Sequence, residues 1–162
     1  MTARTENGIE SLPRRKHIRL PADAYCKSAT WYFVTICCRN KEPLFQSPKT
    51  RDRVKLLLCE TATELKVELA AYTILPNHMH LICSAGAKGL PSFIRQFKGR
   101  VAAALRTDLS IASPWQARYF DHKIRSEESH KRKCEYVWMN PVRRGLVTKL
   151  EDYSWSGNLL TG

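Results

Sequence analysis

The clearest chemical signal in the chain is a pair of histidines two residues apart, His78 and His80, in the segment Pro76-Asn-His-Met-His-Leu-Ile. In a strand the two imidazoles project from one face, about 6.6 Å apart along the strand, and can converge on one metal ion. Met79 and Leu81 then point to the opposite face and enter a core. The alternative is a pair of exposed histidines without a ligand, so this motif alone is a weak indication of a metal site.

A second group of polar residues lies on the last predicted helix. Tyr136 and Asn140 are four residues apart and so share one helix face, with Arg132 and Lys133 on or beside it. A tyrosine hydroxyl can attack phosphorus, nearby cations can hold a phosphate, and an amide oxygen can complete a metal site. The alternative is that Tyr136 packs at the edge of the core and Asn140 ends the helix before Pro141.

The elements that must position these residues alternate between strand and helix patterns. Aromatic and β-branched residues predict strands at 31–38, 67–75, 78–83 and 115–124. Apolar residues at helical spacing predict helices at 50–66 and around 93–105. Ser126 followed by two glutamates predicts the N-cap of a third helix that Pro141 ends. This order favours an α+β fold of the ferredoxin-like type, a mostly antiparallel sheet with helices packed on it.

Length and composition set the class of protein. The chain has 162 residues, 43% of them hydrophobic, which predicts one domain over 25–162 behind a basic N-terminal arm at 1–24. The longest apolar stretch, 31–38, is far shorter than the roughly 20 residues of a membrane helix, and the first ten residues are too polar for a signal peptide. Six cysteines without a CxxC pair favour reduced thiols, so we expect a cytoplasmic protein.

The charge of the chain is strongly positive, +12 at pH 7 with a pI near 9.7. It is concentrated in residues 1–50 and 95–150, which carry +5 and +8, on either side of a nearly neutral centre. Such an excess predicts an anionic partner, nucleic acid first. The alternative is that these side chains only keep a small protein soluble, but that role does not require clusters such as Arg14-Arg15-Lys16 and Arg143-Arg144.

Taken together, these motifs resemble a known family. A His-hydrophobic-His pair with one tyrosine on a later helix resembles the single-tyrosine branch of the HUH endonucleases. Longer strings resemble the REP-associated tyrosine transposases of the IS200-like superfamily, from about residue 14 to the C-terminus. These strings are Tyr72-Thr-Ile-Leu-Pro-Asn-His-Met-His80, Trp115-Gln-Ala-Arg-Tyr-Phe-Asp-His122-Lys-Ile-Arg125, Glu135-Tyr136-Val-Trp-Met-Asn140-Pro-Val-Arg-Arg-Gly-Leu-Val147 and Tyr153-Ser-Trp-Ser156.

The resemblance implies a metal-dependent endonuclease and strand transferase for single-stranded and hairpin DNA. His78 and His80 would bind Mg²⁺ or Mn²⁺, with Asn140 as third ligand where the insertion-sequence relatives usually carry glutamine. Tyr136 would attack the scissile phosphate and form a 5′-phosphotyrosine bond. The insertion-sequence relatives act as dimers that exchange the tyrosine between subunits, whereas the REP-associated members look monomeric. We therefore expect this protein to be a monomer. We also expect it to be associated with the bacterial nucleoid.

The resemblance also implies that basic and aromatic side chains hold the DNA. Trp115, Tyr119 and Trp138 are candidates for stacking on unpaired bases, although aromatic residues in strands and helices are more often core residues. His122 is a candidate for DNA contact or proton relay, with a structural role as the alternative. The predicted DNA-binding residues are Arg14, Arg15, Lys16, Arg95, Lys98, Arg100, Arg118, His122, Arg125, Arg132 and Lys133.

Two other functions compete with catalysis. A domesticated relative could bind hairpin DNA without cutting it, but the histidine pair, Tyr136 and Asn140 are all present, whereas a decayed site would have lost one of them. A structural zinc protein could use the histidines with Cys83 or Cys134. Regular strand geometry turns Cys83 away from the histidines, and no paired cysteine spacing supports zinc.

Overall fold

The centre of the protein is an antiparallel sheet, and the computed structural model describes residues 30–159 of the chain. Within these residues the sheet has five strands, in the order β4-β1-β3-β2-β5, and every neighbouring pair is antiparallel. The predicted α+β fold is confirmed, and the first four strands with two helices follow the βαββαβ order of the ferredoxin-like type. The strands are β1 (Trp31–Cys37), β2 (Leu69–Ile74), β3 (His78–Ser84), β4 (Phe120–Ile124) and β5 (Ser156–Asn158).

Helices cover both faces of this sheet. In the described part of the chain they are α1 (Pro48–Glu64), α2 (Leu90–Leu109), α3 (Glu127–Trp138) and the short α4 (Asn140–Arg143). α1 and α2 pack on one face over the larger core, which takes residues such as Val34 and Leu81. α3 packs on the other face over a smaller core. All of β3 is buried because it is central and covered on both sides. None of the helices within 30–159 is long and apolar enough to span a membrane.

The fourth strand is shorter than predicted and begins only at Phe120. Trp115, at the start of the predicted strand, donates from its indole Nε1 to the carbonyl of Lys98 at 3.0 Å and packs with its ring centroid 6.0 Å from that of Phe97. These contacts keep the chain ahead of β4 against α2. Trp115 joins the sheet only through an isolated bridge to Cys38.

The third helix ends earlier than predicted, and Pro141 itself lies in a further short helix. α3 already ends at Trp138, and Pro141 lies in the first turn of α4. A proline has no amide hydrogen for the carbonyl four residues earlier, which interrupts the helical bonding, whereas the first turn of a new helix tolerates it. Asn140 therefore belongs to α4, and the prediction that it shares one face of a single helix with Tyr136 is wrong.

The C-terminal segment forms β5, which the sequence pattern does not predict because Ser-Gly-Asn lacks apolar alternation. Side chains fasten this segment to the fold. The Tyr153 hydroxyl donates to the carbonyl of Ile74 at 2.6 Å, and the Trp155 indole donates to an aspartate of α1 at 2.8 Å. The Ser156 hydroxyl donates to the carbonyl of Trp138 at 2.8 Å. The segment thereby ties α1, β2 and the end of α3 together.

Candidate active site

His78 and His80 lie side by side on β3, on the face that α3 covers. Their ring centroids are 4.9 Å apart and the ring planes are nearly perpendicular, at 80°. His78 is 9% exposed and His80 is 8% exposed. The pair is therefore buried, and the alternative of two histidines on an exposed face is wrong.

A hydrogen bond fixes the orientation of each imidazole. Nδ1 of His80 lies 2.8 Å from Oγ1 of Thr35, its partner on β1. Nδ1 of His78 lies 2.6 Å from Oδ1 of Asn77, whose Nδ2 donates to the carbonyl of Lys41 at 3.3 Å. Because Asn77 uses its amide nitrogen on Lys41, its oxygen accepts, so the proton of His78 is assigned to Nδ1 and Nε2 keeps its lone pair.

The turn that carries Lys41 has an unusual backbone. Asn40 has φ of 53° and Lys41 has φ of 56°, which places two consecutive non-glycine residues in the left-handed region. Such residues cost about 1–3 kcal/mol each, and they cluster at functional sites where the surrounding structure holds them. The Cys38 amide donates to the carbonyl of Asn77 at 2.9 Å. The strained turn is thereby coupled to Asn77 and, through it, to His78.

Burial keeps both imidazoles neutral. Burial, together with the smaller effects of the Arg144 and Lys41 charges, lowers the pKa of His78 to about 4. Burial also lowers the pKa of His80 to about 3, with His78 and Arg144 contributing. At neutral pH both rings are therefore unprotonated on one nitrogen, which is the form that binds a metal ion.

The donor atoms around this pair fit a divalent metal ion. Nε2 of His80 and Oγ1 of Thr73, its neighbour on β2, are buried without a hydrogen-bond partner among the described residues. A buried polar atom without a partner costs about 1–3 kcal/mol, so these two atoms indicate that a ligand belongs beside them. The side chains that would hold the ion are His78, His80 through Nε2, and Asn140 through Oδ1.

A structural zinc site finds no support in the described part of the chain. Among residues 30–159 no three His, Cys, Asp or Glu side chains are grouped so that they could hold a metal ion. Cys83 is fully buried in the larger core, on the opposite face of β3 from the histidines, and Cys134 packs in the smaller core. A metal ion at the histidine pair would therefore need a third ligand of another type, such as an amide.

Tyr136 faces the histidine pair from α3. Its ring centroid lies 6.4 Å from that of His80 and 6.3 Å from that of Phe33 on β1. The guanidinium carbon of Arg143 lies 4.9 Å from the centroid of the tyrosine ring, which is a cation–π distance. The half-buried tyrosine is therefore held between the sheet and a cation, close to the histidines.

Asn140 reaches the same neighbourhood from α4. It is 2% exposed, and its Oδ1 accepts a hydrogen bond from Nε of Arg144 at 2.9 Å. The charge of Arg144 lowers the pKa of both histidines. The structure thus places His78, His80 and Tyr136 together and pairs Asn140 with Arg144 on the short helix that follows.

Other residues of the site were not predicted as such. Arg143 and Arg144 follow Asn140 by three and four positions, a spacing at which helical side chains meet, so a sequence signal for them exists. Asn77 directly precedes the histidine motif, and this adjacency is its signal in the sequence. Thr35 has none, because only the register of β1 against β3 places it beside the histidines.

The predicted DNA contacts on α2 lie across the sheet from the histidine pair. Arg95 is exposed there. Lys98 donates from Nζ to the carbonyl of Gln116 at 2.7 Å, and Arg100 is bonded to Glu64 of α1. Two of these three cations therefore hold elements of the fold together. Their contact with DNA stays a prediction, on a face other than that of the candidate active site.

The remaining predicted DNA contacts surround β4 and α3. Nζ of Lys133 lies 5.8 Å from the ring centroid of Phe33, next to the tyrosine. Arg132 points outward and pairs with a glutamate one turn earlier. Of the predicted contacts on this side, Arg118, His122, Arg125 and Arg132 are exposed, whereas Arg14, Arg15 and Lys16 lie outside the described residues.

The aromatic candidates for base stacking are mainly packed in the fold. Trp115 is 7% exposed and its ring meets that of Phe45 edge-on at 5.3 Å, so it is a core residue. Tyr119 is partly buried against the same core. Trp138 is half-buried at the end of α3. For Trp115 the alternative of a structural role is therefore confirmed.

Comparison with known proteins shows the family to which the chain belongs. The family model described as "Transposase IS200 like" matches residues 26–140. A Haemophilus influenzae protein without an assigned function is 30% identical over 88% of this chain and 94% of its own. The REP-associated tyrosine transposase of Escherichia coli is 26% identical over 82% of this chain and 78% of its own. A solved structure of a REP-associated tyrosine transposase bound to a REP hairpin has a TM-score of 0.69 at 23% identity, covering 88% and 81% of the two chains.

A ferredoxin-like sheet whose central strand presents a histidine pair to a tyrosine on the covering helix defines the class of HUH-type tyrosine transposases. The family match spans well over half of the chain, and it includes the histidine pair, Tyr136 and Asn140. The chain belongs to the IS200-like transposase family.

Proposed function

We propose that the protein is a single-stranded DNA endonuclease and strand transferase that requires Mg²⁺ or Mn²⁺ and acts on hairpin DNA. The observation that carries the proposal is the buried, neutral histidine pair with an unpartnered Nε2 and with Tyr136 facing it. Hairpin DNA is supported by the two relatives, one called a REP-associated tyrosine transposase and one solved with a REP hairpin. The net charge of +12 supports an anionic partner.

Tyr136 is the nucleophile in this proposal. Its oxygen bonds to phosphorus while the bond from phosphorus to the 3′ oxygen breaks. The phenol gives up its proton and the 3′ oxygen takes one up, which leaves a 5′-phosphotyrosine and a 3′-hydroxyl. Because the adduct conserves the phosphodiester, a free 3′-hydroxyl can reverse the step and join strands.

The other residues hold and orient the reacting groups. His78, His80 and Asn140 would hold the metal ion, which when bound stabilises the charge on the phosphate oxygens and orients the phosphate for in-line attack. Asn77 keeps the His78 imidazole in the tautomer and orientation that this role needs, and Thr35 keeps the His80 imidazole in its orientation. Arg143 holds the tyrosine ring from its other side.

Covalent capture tests the proposal directly. Labelled single-stranded DNA hairpins, REP hairpins among them, are incubated with protein and Mg²⁺ or Mn²⁺, and the products are separated on a denaturing gel. We expect label at the mass of the protein, lost with EDTA and in Tyr136→Phe, and retained in the control Tyr72→Phe, which alters a buried tyrosine of the larger core on the other face of the sheet. Binding of hairpins without any adduct, across metals and substrates, would instead favour a non-catalytic hairpin-binding protein.

We also propose that the site is complete in one chain and that the protein acts as a monomer. The support is that His80 and the tyrosine of the same chain lie within ring contact of each other. Mixing Tyr136→Phe with His80→Ala tests this, because subunits that exchange the tyrosine would assemble one intact site. We expect the mixture to stay inactive, and recovered cleavage would show a dimer with exchanged tyrosines.

A further inference from the structure

Arg144 occupies a position that the proposed metal and nucleophile roles do not explain. It lies at the end of α4, and only its Nε has a hydrogen-bond partner within the described part of the chain, Oδ1 of Asn140 at 2.9 Å. The two Nη groups at the tip of the side chain therefore remain available as donors. A guanidinium offers these donors in a planar fork that matches the oxygens of a phosphate.

The site around Arg144 holds positive charge without a compensating acid. The charged groups that act on His78 are Arg144 and Lys41, and those that act on His80 again include Arg144. Among residues 30–159 no Asp or Glu side chain is grouped with the two histidines. A divalent ion on two neutral histidines and an amide would add two further positive charges. Such a site is balanced electrostatically only when the ligand itself brings negative charge.

A second consequence concerns Asn140. An arginine only donates hydrogen bonds, so its contact fixes the oxygen of the amide, and not the nitrogen, on the side of Arg144. The amide oxygen has two acceptor positions, and Nε of Arg144 occupies one of them. The other remains for a metal ion, which binds an amide through oxygen.

From these observations we propose that Arg144 binds the scissile phosphate through its Nη groups while its Nε holds the Asn140 oxygen in place. Arg144 is then a substrate-binding residue that links the phosphate to the metal-binding amide. The inference rests on the proposed function and adds to it the residue that neutralises the phosphate from the protein side. The inference predicts that Arg144 contributes to DNA binding only when one particular phosphate group carries its negative charge.

The first test measures adduct formation with Arg144→Ala and Arg144→Lys. We expect alanine to slow the adduct about 10- to 100-fold, the loss typical of a charged hydrogen bond, and lysine to recover part of the rate through its charge. Arg53→Ala, which removes an exposed arginine of α1 on the other side of the sheet, is the matched control and should leave the rate unchanged. Thermal unfolding of each variant shows whether the fold is intact.

The second test asks which phosphate Arg144 contacts. Once the cleavage position is mapped, hairpins with a normal or a neutral methylphosphonate linkage there are bound to Tyr136→Phe protein, with and without Arg144→Ala. We expect the neutral linkage to weaken binding about 10-fold when Arg144 is present and hardly at all when it is absent. This cycle needs no cleavage, so it separates binding of the phosphate from an indirect effect on catalysis.

The outcomes separate the two proposals. Wild-type protein that forms no adduct overturns the proposed function and this inference together. The wild type forms the adduct in the second case, but the neutral linkage weakens hairpin binding equally with and without Arg144→Ala. That result overturns only the role of Arg144. An Arg144→Ala variant that forms the adduct within about 3-fold of the wild-type rate does the same.

Discussion

The two buried histidines predict that the protein loses stability in mild acid when no metal is bound. Burial lowers the pKa of His78 to about 4 and that of His80 to about 3, whereas both return to about 6.5 in the unfolded chain. At a pH between the native and the unfolded pKa values, the two histidines are protonated in the unfolded state but not in the native state. The free energy of unfolding therefore falls as the pH drops below 6.5, until the native histidines also become protonated.

The size of the effect follows from the two shifts. Each proton contributes about 1.4 kcal/mol per pH unit, and pH 5 lies 1.5 units below 6.5 and above both native values. Each histidine should therefore cost about 2 kcal/mol at pH 5 relative to pH 8, or about 4 kcal/mol for the pair. A domain with a total stability of about 5–15 kcal/mol would lose a large part of it.

Urea unfolding in EDTA at several values between pH 5 and 8 measures this loss. The comparison is with His78→Gln, His80→Gln and the double variant, in which the side chains stay polar but do not titrate. Each single variant should lose about half of the pH dependence and the double variant most of it. If the double variant and the wild type lose the same free energy between pH 8 and pH 5, the histidines are not the cause and the reasoning is wrong.

Two further predictions address the residues that support the site. Replacing Asn77 with alanine removes the acceptor that holds the proton of His78 on Nδ1. We therefore expect the affinity for Mn²⁺, measured by calorimetric titration, to fall about 10- to 100-fold. An unchanged affinity would contradict this role of Asn77. Replacing Gly157 with alanine places a Cβ 2.7 Å from Cε1 of the buried Tyr72 ring. We therefore expect the free energy of unfolding, measured in urea, to fall by about 1–3 kcal/mol. A variant as stable as the wild type would show that β5 can shift without loss of stability.

Much of the local structure can be predicted from the pattern of residues alone. Alternation along the segment around His78 places both histidines on one face, because successive side chains of a strand point to opposite sides. Ser126 and the two glutamates mark the start of α3, where the Ser126 hydroxyl accepts from an amide of the first turn at 3.1 Å. The match of several motifs in one order predicts the family, which the comparison confirms.

Other features depend on contacts between distant segments. The pattern around Trp115 predicts a strand, but packing of its ring on α2 overrides that preference. Lys98 and Arg100 look like free cations in the sequence, yet they bind groups on neighbouring segments. The strand β5 forms because β2 offers an open edge and Tyr153 fastens the chain there, neither of which is visible in its own three residues.

The sequence by itself determined the kinds of groups at the site and the faces on which most of them lie, because strand and helix periods are local properties of the backbone. Only the tertiary structure decided that α3 covers the histidines and that burial keeps them neutral. Desolvation and hydrogen bonding depend on which atoms surround a group, and segments far apart in the chain supply those atoms.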